Sequence, residues 1–361
     1  MPETGKKRVF LVDDAVVVHK VLSDAIARDP ALEVAGTAVN GKIALAKFPN
    51  LKPDIVLLDI EMPEMDGLAT VRELRKIDCR VPIIMFSTLT EQGAAAAIEA
   101  LALGATDYVT KPSNTDISAT SDAVSRELIP RIRVLCGLPE TASAAPLPSA
   151  PVRPIVSRSS PLLPVQVVAI GVSTGGPDAL THVIPHLPAD LSVPVVIAQH
   201  MPPIFTALLA ARLTAKSTLP VRECTSGEAL TPGCAFLAPG DFHMVATQEG
   251  GVVRLKTNKG PKENFCRPSV DVLFRSIAQV FGGRALAVVL TGMGQDGLKG
   301  CELLRGAGAR IYVQDEASSV VWGMPGFVAR AGLADKILPL EQIGSEIVRA
   351  TTPSLAARTP S

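Results

Sequence analysis

Short apolar runs recur along the chain and alternate with segments of helical spacing. In the first part of the chain, five runs rich in branched apolar residues predict strands: RVFLVDD, LEVAGTAV, DIVLLDI, VPIIMFS and TDYVTK. Segments such as GLATVRELRKI and EQGAAAAIEALALG lie between them and have helical composition and spacing. Five successive strand–helix units predict an α/β fold, in which a parallel sheet carries helices on both faces.

A second series of the same kind begins near residue 165. Strands are predicted at VQVVAIGV, VPVVIAQH and RALAVVLT, and helices after Pro177 and at IFTALLAARL, SVDVLFRSIAQVF and DGLKGCELLRGAG. The stretch 219–257 between them is rich in β-type patterns. The second unit is therefore predicted to be a mainly parallel α/β sheet with a β insertion.

Residues 139–164 separate the two series. This stretch is dominated by Pro, Ala and Ser and has no apolar periodicity, which is typical of an extended, mobile linker. The final residues, TTPSLAARTPS, predict a disordered tail. The predicted organisation is a first domain over 1–138, a linker over 139–164, a second domain over 165–350 and a tail over 351–361.

Composition narrows the functional classes. Thirty-five basic residues balance 35 acidic ones, and aromatic residues make up only 4%, so nucleic acid and a membrane surface are both unfavoured as partners. The six cysteines show no C-x-x-C spacing, which favours reduced thiols in a cytosolic protein over a zinc site or a disulfide framework. No signal-peptide pattern or long apolar run is present, so we expect a cytoplasmic protein without membrane insertion.

Polar residues stand where the strands of the first domain end. Asp13 and Asp14 follow the first strand, Asp59 ends the third, Ser87 ends the fourth, and Lys111 follows the fifth. The carboxyl ends of parallel strands meet at one edge of a sheet, so these side chains are expected to converge. Three carboxylates suit Mg²⁺, while a lysine and a hydroxyl can hold phosphoryl oxygens. Asp59 is thereby a plausible phosphoryl acceptor.

The motifs LVDD, DIVLLDIEMPEMDGL and TDYVTKP resemble the response-regulator receiver domain of two-component signalling, over about residues 8–135. The resemblance implies a flavodoxin-like fold and phosphorylation of Asp59 by a histidine kinase. It also implies Mg²⁺ at Asp13, Asp14 and Asp59. Ser87 and Tyr108 match the family's hydroxyl and aromatic switch positions, and Lys111 is grouped with them as a receiver switch residue.

The second domain contains a G-x-S-x-G pattern from Gly171 to Gly175, which raises the hypothesis that Ser173 is a nucleophile. The α/β-hydrolase fold that typically carries this pattern orders its triad as Ser, acid, His. The histidines after Ser173 are His182, His186, His200 and His243. His243 has Asp190 or Asp241 as possible partners, but no late catalytic loop follows it. The order therefore counts against that fold, though not against a serine nucleophile.

A second pattern, G-x-G-x-x-G from Gly292 to Gly297, follows a predicted strand and opens a predicted helix. Asp315 lies 18 residues beyond it, as in a dinucleotide-binding fingerprint. Asp296 would then place a carboxylate against a pyrophosphate, and like charges at about 4 Å cost roughly 4 kcal/mol at a surface-like dielectric constant. Nucleotide binding is the weaker hypothesis.

A third interpretation again rests on polar residues that stand where predicted strands end. Ser173, His200 and Asp296 each follow an apolar strand, and together they supply a hydroxyl, a base and an orienting carboxylate. Gly175 and Gly176 allow a sharp turn after the serine. The helix-starting N–H groups near Thr174, together with Met293, are then candidates for an oxyanion hole.

The motifs IGVSTGGP, IAQHMP, APGDFHM, CRPSVDVLF, LTGMGQDG and DEASSVVWGMPG resemble the catalytic domain of chemotaxis methylesterases. The resemblance implies hydrolysis of glutamyl γ-methyl esters on the cytoplasmic helices of chemoreceptors, release of methanol, and deamidation of certain receptor glutamines. It implies a Ser173, His200 and Asp296 triad, Met293 in the oxyanion hole, and no cofactor for the hydrolysis. Cys266 stands where the family would be expected to carry histidine.

The same resemblance implies that the receiver domain inhibits the second domain until it is phosphorylated, and a mobile linker would supply the high effective concentration that this needs. The expected partners are chemoreceptors and a chemotaxis histidine kinase, and a monomer is expected. Two other classes stay open: a phosphorylation-regulated binding module and a nucleotide-binding oxidoreductase.

Overall fold

The computed structural model describes residues 5–88, 90–111, 117–139 and 163–352. They belong to two compact units, Met1–Pro146 and Leu147–Ser361. Residues 140–162 of the predicted linker and 353–361 of the predicted tail lie outside the described residues, so their mobility stays a prediction. None of the helices in the described part of the chain combines the length and apolar character that crossing a bilayer requires.

The first unit is a five-stranded parallel sheet in the order β2-β1-β3-β4-β5. Its strands are β1 Lys7–Val12, β2 Leu32–Ala38, β3 Ile55–Asp59, β4 Ile83–Ser87 and β5 Asp107–Thr110. Its helices are α1 Val16–Ala27, α2 Gly41–Leu51, α3 Gly67–Ile77, α4 Glu91–Ala102 and α5 Ile117–Leu135. This strand order is that of flavodoxin-like folds.

Side chains from α1 and α5 cover one face of this sheet. Val9 and Leu11 of β1 pack in one buried cluster with Leu22 of α1 and with Leu128 and Ile132 of α5. Such strands read as continuous apolar runs because both faces of a parallel sheet are buried. The same burial leaves the strand ends as the place where polar side chains meet solvent.

The second unit is built on a seven-stranded parallel sheet in the order β14-β13-β12-β6-β7-β9-β8. Its strands are β6 Val167–Val172, β7 Val195–Gln199, β8 Val221–Glu223, β9 Ala235–Leu237, β10 His243–Glu249, β11 Val252–Asn258, β12 Ala285–Val289, β13 Arg310–Gln314 and β14 Lys336–Leu338. Its α-helices are α6 Gly176–Val183, α7 Phe205–Lys216, α8 Val270–Phe281, α9 Leu298–Gly306, α10 Met324–Arg330 and α11 Leu340–Thr351.

The β insertion contains fewer residues than the predicted stretch 219–257. The short strands β8 and β9 join the main sheet in parallel, and only β10 and β11 form a separate antiparallel hairpin. β13, β14, α10 and α11 are absent from the predicted elements. The predicted fold class, two α/β units with mainly parallel sheets, is confirmed.

Candidate active site

Three neighbouring strands of the second sheet deliver the candidate catalytic residues to one edge. Ser173 follows β6 directly, and His200 follows β7 directly. Asp296 lies in the loop between β12 and α9. β12 and β7 flank β6 in the parallel sheet, so the three loops converge at its carboxyl edge.

The three side chains form a contact chain. His200 Nδ1 lies 3.1 Å from Ser173 Oγ, and His200 Nε2 lies 2.7 Å from Asp296 Oδ2. An ionised carboxylate only accepts hydrogen bonds, so Nε2 carries the proton of the neutral imidazole. Nδ1 is then the nitrogen with a lone pair facing the serine hydroxyl, which is the arrangement a general base requires.

The carboxylate of Asp296 is buried, with an exposed fraction of 2%, and it accepts several hydrogen bonds. Besides His200, its donors are the N–H groups of Val270 and Asp271, Ser269 Oγ and Asn264 Nδ2, at 2.7–3.0 Å. Burial alone would raise the pKa of this carboxyl. The His200 hydrogen bond and charge, together with the N–H groups of α8, instead lower it to about 2, so Asp296 is ionised at neutral pH.

The turn after Ser173 is shaped by glycine. Gly175 has a φ of 77°, in the left-handed region that suits glycine. A Cβ on Gly176 would lie 2.0 Å from Gln199 Oε1, so a side chain there would displace the Gln199 amide. Gln199 in turn donates from Nε2 to the carbonyl oxygens of Ser173 at 3.0 Å and His200 at 3.2 Å. One buried amide therefore joins the loops of the candidate nucleophile and base.

The loop that carries Met293 lies against the serine loop. The Ser173 N–H donates to Thr291 O at 3.0 Å, and a Cβ on Gly292 would lie 2.8 Å from Ser173 Cβ. Thr291 Oγ1 also donates to Thr174 O at 3.0 Å. Within the described part of the chain, the Met293 N–H has no hydrogen-bond acceptor. The structure thus places Thr174 and Met293 on two loops beside Ser173, as an oxyanion hole would need.

Cys266 is the unexpected neighbour of the base. Its Sγ lies 3.4 Å from His200 Nδ1, the atom that also faces Ser173. Burial lowers the pKa of His200, but Cys266 and Asp296 outweigh it and raise that pKa above its ordinary value. When the Cys266 thiol is neutral, it adds no negative charge beside the ring. The hydrogen bond to the Asp296 carboxylate then still raises the His200 pKa, because it favours the imidazolium.

The remaining histidines lie elsewhere. His182 and His186 are exposed, on α6 and the short turn after it. His243 is buried, its Nε2 facing Pro261 O at 2.9 Å and its Nδ1 accepting from the Ser269 N–H. His243 is therefore held in place by backbone groups. Asp315, the acidic residue of the dinucleotide-binding pattern, accepts hydrogen bonds from the N–H and hydroxyl of Ser318.

In the first unit, Lys111 Nζ lies 2.8 Å from Asp59 Oδ1 and 3.0 Å from Asp13 Oδ2. Oxygen atoms of Asp13, Asp14 and Asp59 all lie within 4.8 Å of one another, a donor set that fits Mg²⁺. Burial raises the pKa of Asp59 to about 6, although Lys111 opposes the shift.

A pocket of about 280 Å³ opens beside this cluster, lined by Asp14, Asp59, Ser87 and Lys111 among others. Ser87 Oγ donates to Gly93 O at 2.9 Å. The ring of Tyr108 is buried, with an exposed fraction of 7%. The acceptor, cation and hydroxyl predicted for a phosphorylation site therefore share one pocket.

Fold and geometry together define a class: a receiver-type unit followed by an α/β unit with a serine-hydrolase arrangement of Ser, His and Asp. Residues 9–119 match the family model of the response regulator receiver domain, and residues 168–347 match that of the CheB methylesterase. The chain belongs to the CheB methylesterase family and carries a receiver domain before the methylesterase domain.

Relatives and a solved structure extend this match. A protein of Trichodesmium erythraeum named protein-glutamate methylesterase/protein-glutamine glutaminase is 46% identical over 349 residues, covering 95% of this chain and 99% of the relative. A protein of the same name from Nocardioides is 49% identical over 347 residues, covering 95% and 94%. The crystal structure of the Thermotoga maritima CheB methylesterase catalytic domain is 40% identical with a TM-score of 0.51, covering 52% of this chain and 99% of that one.

Proposed function

We propose that this protein is a phosphorylation-activated serine hydrolase that demethylates glutamate γ-methyl esters of chemoreceptors. The observation that carries the proposal is the contact chain from Ser173 through His200 to Asp296, at 3.1 Å and 2.7 Å. The names of relatives that match 95% of the chain supply the substrate chemistry, a methylated glutamate and a glutamine of a protein.

The reaction begins with proton transfer from the Ser173 hydroxyl to His200 Nδ1 as the serine oxygen attacks the ester carbonyl carbon. Asp296 holds the other ring nitrogen and stabilises the imidazolium. N–H groups near Thr174 and at Met293 receive the charge that develops on the carbonyl oxygen. The carbon–oxygen bond to the methoxy group breaks, and methanol leaves with the proton from His200.

Water completes the cycle. His200 takes a proton from the water that attacks the acyl-enzyme, and the proton returns to Ser173 as the glutamate carboxylate is released. On a receptor glutamine the same steps expel ammonia in place of methanol. Both reactions therefore use one set of residues and need no cofactor.

The receiver domain supplies the control. Phosphorylation of Asp59 by a chemotaxis histidine kinase biases the receiver away from a state that inhibits the hydrolase, a shift of population between two states. Asp13, Asp14 and Asp59 would hold Mg²⁺, which supplies neutralising charge for the phosphoryl oxygens. Lys111 binds the same oxygens, and Ser87 and Tyr108 are the switch residues. The expected setting is the cytoplasm, with a monomer acting on the cytoplasmic helices of receptors.

Methanol release from methylated receptor, with and without a small phosphodonor, tests the proposal. The parent should release methanol, and more of it with acetyl phosphate and Mg²⁺. Ser173→Ala should release none, while Ser345→Ala, at an exposed serine on α11, should match the parent. A Ser173→Ala protein that hydrolyses ester at the parental rate contradicts the proposed nucleophile.

Asp59→Ala and a chain lacking residues 1–138 test the control. Asp59→Ala should lose the response to phosphodonor and keep the basal rate, because the hydrolase residues are unchanged. The truncated chain should show a higher basal rate than the full chain. An unchanged or lower rate in a truncated protein that remains folded counts against inhibition by the receiver.

A further inference from the structure

Two buried carboxylates lie side by side at the start of α8. Asp296 and Asp271 are exposed by only 2% and 1%. Asp271 Oδ1 accepts from the Gly300 N–H at 2.7 Å, and Asp296 Oδ2 accepts from His200 and Val270. Like charges in a buried site repel, so the arrangement needs donors placed between them.

One side chain supplies that bridge. Asn264 Nδ2 donates to Asp296 Oδ1 at 2.8 Å and to Asp271 Oδ2 at 2.9 Å. The amide group has two N–H bonds, one for each carboxylate. Asn264 is thus the residue whose side chain contacts both acids at once.

A tight turn aims this amide. Glu263 and Cys266 exchange backbone hydrogen bonds at 3.2 Å and 3.0 Å, and the two residues between them have φ values of 51° and 63°. Positive φ at both central residues is the two-residue hairpin geometry in which asparagine is favoured. Phe265, the other central residue, has a side chain exposed by 93%, so only Asn264 sends its side chain inward.

Both ends of the turn are anchored. Arg275 of α8 contacts both carboxylate oxygens of Glu263, at 3.1 Å and 2.7 Å. Cys266 Sγ contacts the His200 ring. These contacts hold the turn against α8, whose first N–H groups Asp296 accepts, and against His200, which Asp296 orients.

We propose that Asn264 is a positioning residue of the hydrolase, which keeps Asp296 ionised and directed at His200 by bridging Asp296 to Asp271. The proposal rests on the function proposed above. Without the amide, the two carboxylates and the imidazole form a cluster that takes up its first proton at higher pH. That proton disables the base, whether it resides on His200 or between the carboxylates.

The charges around the cluster support this direction. Burial raises the pKa of Asp271 to about 6, while the Gly300 N–H and Asn264 lower it and the charge of Asp296 raises it. The titratable groups that interact with the two acids are Glu263 in the 263–266 turn, His200 after β7, Arg275 on α8 and Cys301 on α9. The positive charge of Arg275 is paired with Glu263, and the nearby Lys299 is also attracted to Glu263.

The pH dependence of serine reactivity tests the proposal. Asn264→Gly removes the amide at a φ that glycine adopts freely, and Phe265→Gly is the matched control in the same turn. The readouts on the full chain are the rate of Ser173 labelling by a fluorophosphonate and kcat/KM for methanol release. We expect the acid limb of both profiles to move up by about one to two pH units in Asn264→Gly, with KM unchanged. Phe265→Gly should keep the parental limb.

Asn264→Asp keeps the test usable if the glycine variant does not fold. It preserves shape but adds a third carboxylate, so its acid limb should move further in the same direction. Profiles that superimpose on the parent, or that fall equally at every pH, overturn the proposal. A parent that neither labels nor releases methanol refutes the proposed function instead, and the two failures are therefore distinguishable.

Discussion

Replacing Asp59 with asparagine should stabilise the receiver domain. Asp59 is buried at the end of β3, with an exposed fraction of 5%, and its carboxylate faces Lys111 and a second carboxylate, Asp13. Burial penalises the ionised form more than Lys111 compensates, so the folded protein holds the Asp59 proton more tightly than the unfolded chain does. An amide of the same shape avoids that penalty.

The magnitude follows from the shift in pKa. The folded value is about 6 against an ordinary 3.8, and about two pKa units correspond to roughly 3 kcal/mol. The folded state binds more protons than the unfolded state between these values, so stability falls as pH rises through this interval. Asp59→Asn should therefore gain up to about 3 kcal/mol above pH 6 and little near pH 4.

Native-state hydrogen exchange measures this for one domain within the full chain. Peptides from β1 and β3 report the free energy of opening of the receiver, and peptides from β6 and β12 serve as an internal reference in the other unit. Parent and variant are compared at equal pH, with divalent cations chelated, because Mg²⁺ would stabilise only a chain with all three carboxylates.

Asp24→Asn is the matched control, since Asp24 is an exposed aspartate on α1. It should change the opening free energy of β1 and β3 by less than about 0.5 kcal/mol at any pH. A gain in Asp59→Asn that is equally large near pH 4 and pH 8, or no gain at pH 8, would refute the burial argument.

Three other substitutions probe the two sites. Gly176→Ala should lower kcat for methanol release about 10- to 100-fold, since its Cβ would lie 2.0 Å from Gln199 Oε1 and displace the amide that joins the serine and histidine loops. Asp296→Asn should lower kcat about 10⁴-fold by altering the imidazole tautomer, and steady-state kinetics should show KM little changed. Lys111→Met should slow labelling of Asp59 by acetyl phosphate, followed by intact-protein mass spectrometry, because it removes the cation 2.8 Å from the acceptor.

Apolar runs located most of the sheet because buried parallel strands have a strong local pattern. RVFLVDD, for example, includes all of β1 except its first residue, Lys7, and VPVVIAQH contains β7. β13 also has such a pattern, in RIYVQ, and it could have been found. β8, β9 and β14 have three residues each, and their place in the sheet depends on pairing with distant strands.

The positions of Ser173, His200 and Asp296 after strands predicted that they lie close together, and the structure places them in contact; their catalytic roles remain predictions. The same pattern did not predict the contacts of Gln199 or Asn264. Gln199 is the last residue of β7 and lies within the predicted strand VPVVIAQH, yet its contact with the Ser173 carbonyl depends on the turn at Gly176. Asn264 stands in a turn whose side-chain partners lie 7 and 32 residues away. Local pattern carries no information about such contacts.

Asp296 differs from the other two candidate catalytic residues because its carboxylate also caps the N-terminus of α8. Ser269 precedes α8, but its side chain accepts no hydrogen bond from the first turn of the helix. The Asp296 carboxylate instead accepts hydrogen bonds from the N–H groups of Val270 and Asp271. A helix N-terminus stabilises a negative charge, and the charge in turn satisfies the helix. The carboxylate that orients His200 is therefore held by the same contacts that start α8, whose side chains pack in the central core of the second unit. One side chain therefore both orients the base and accepts the N–H groups at the start of α8.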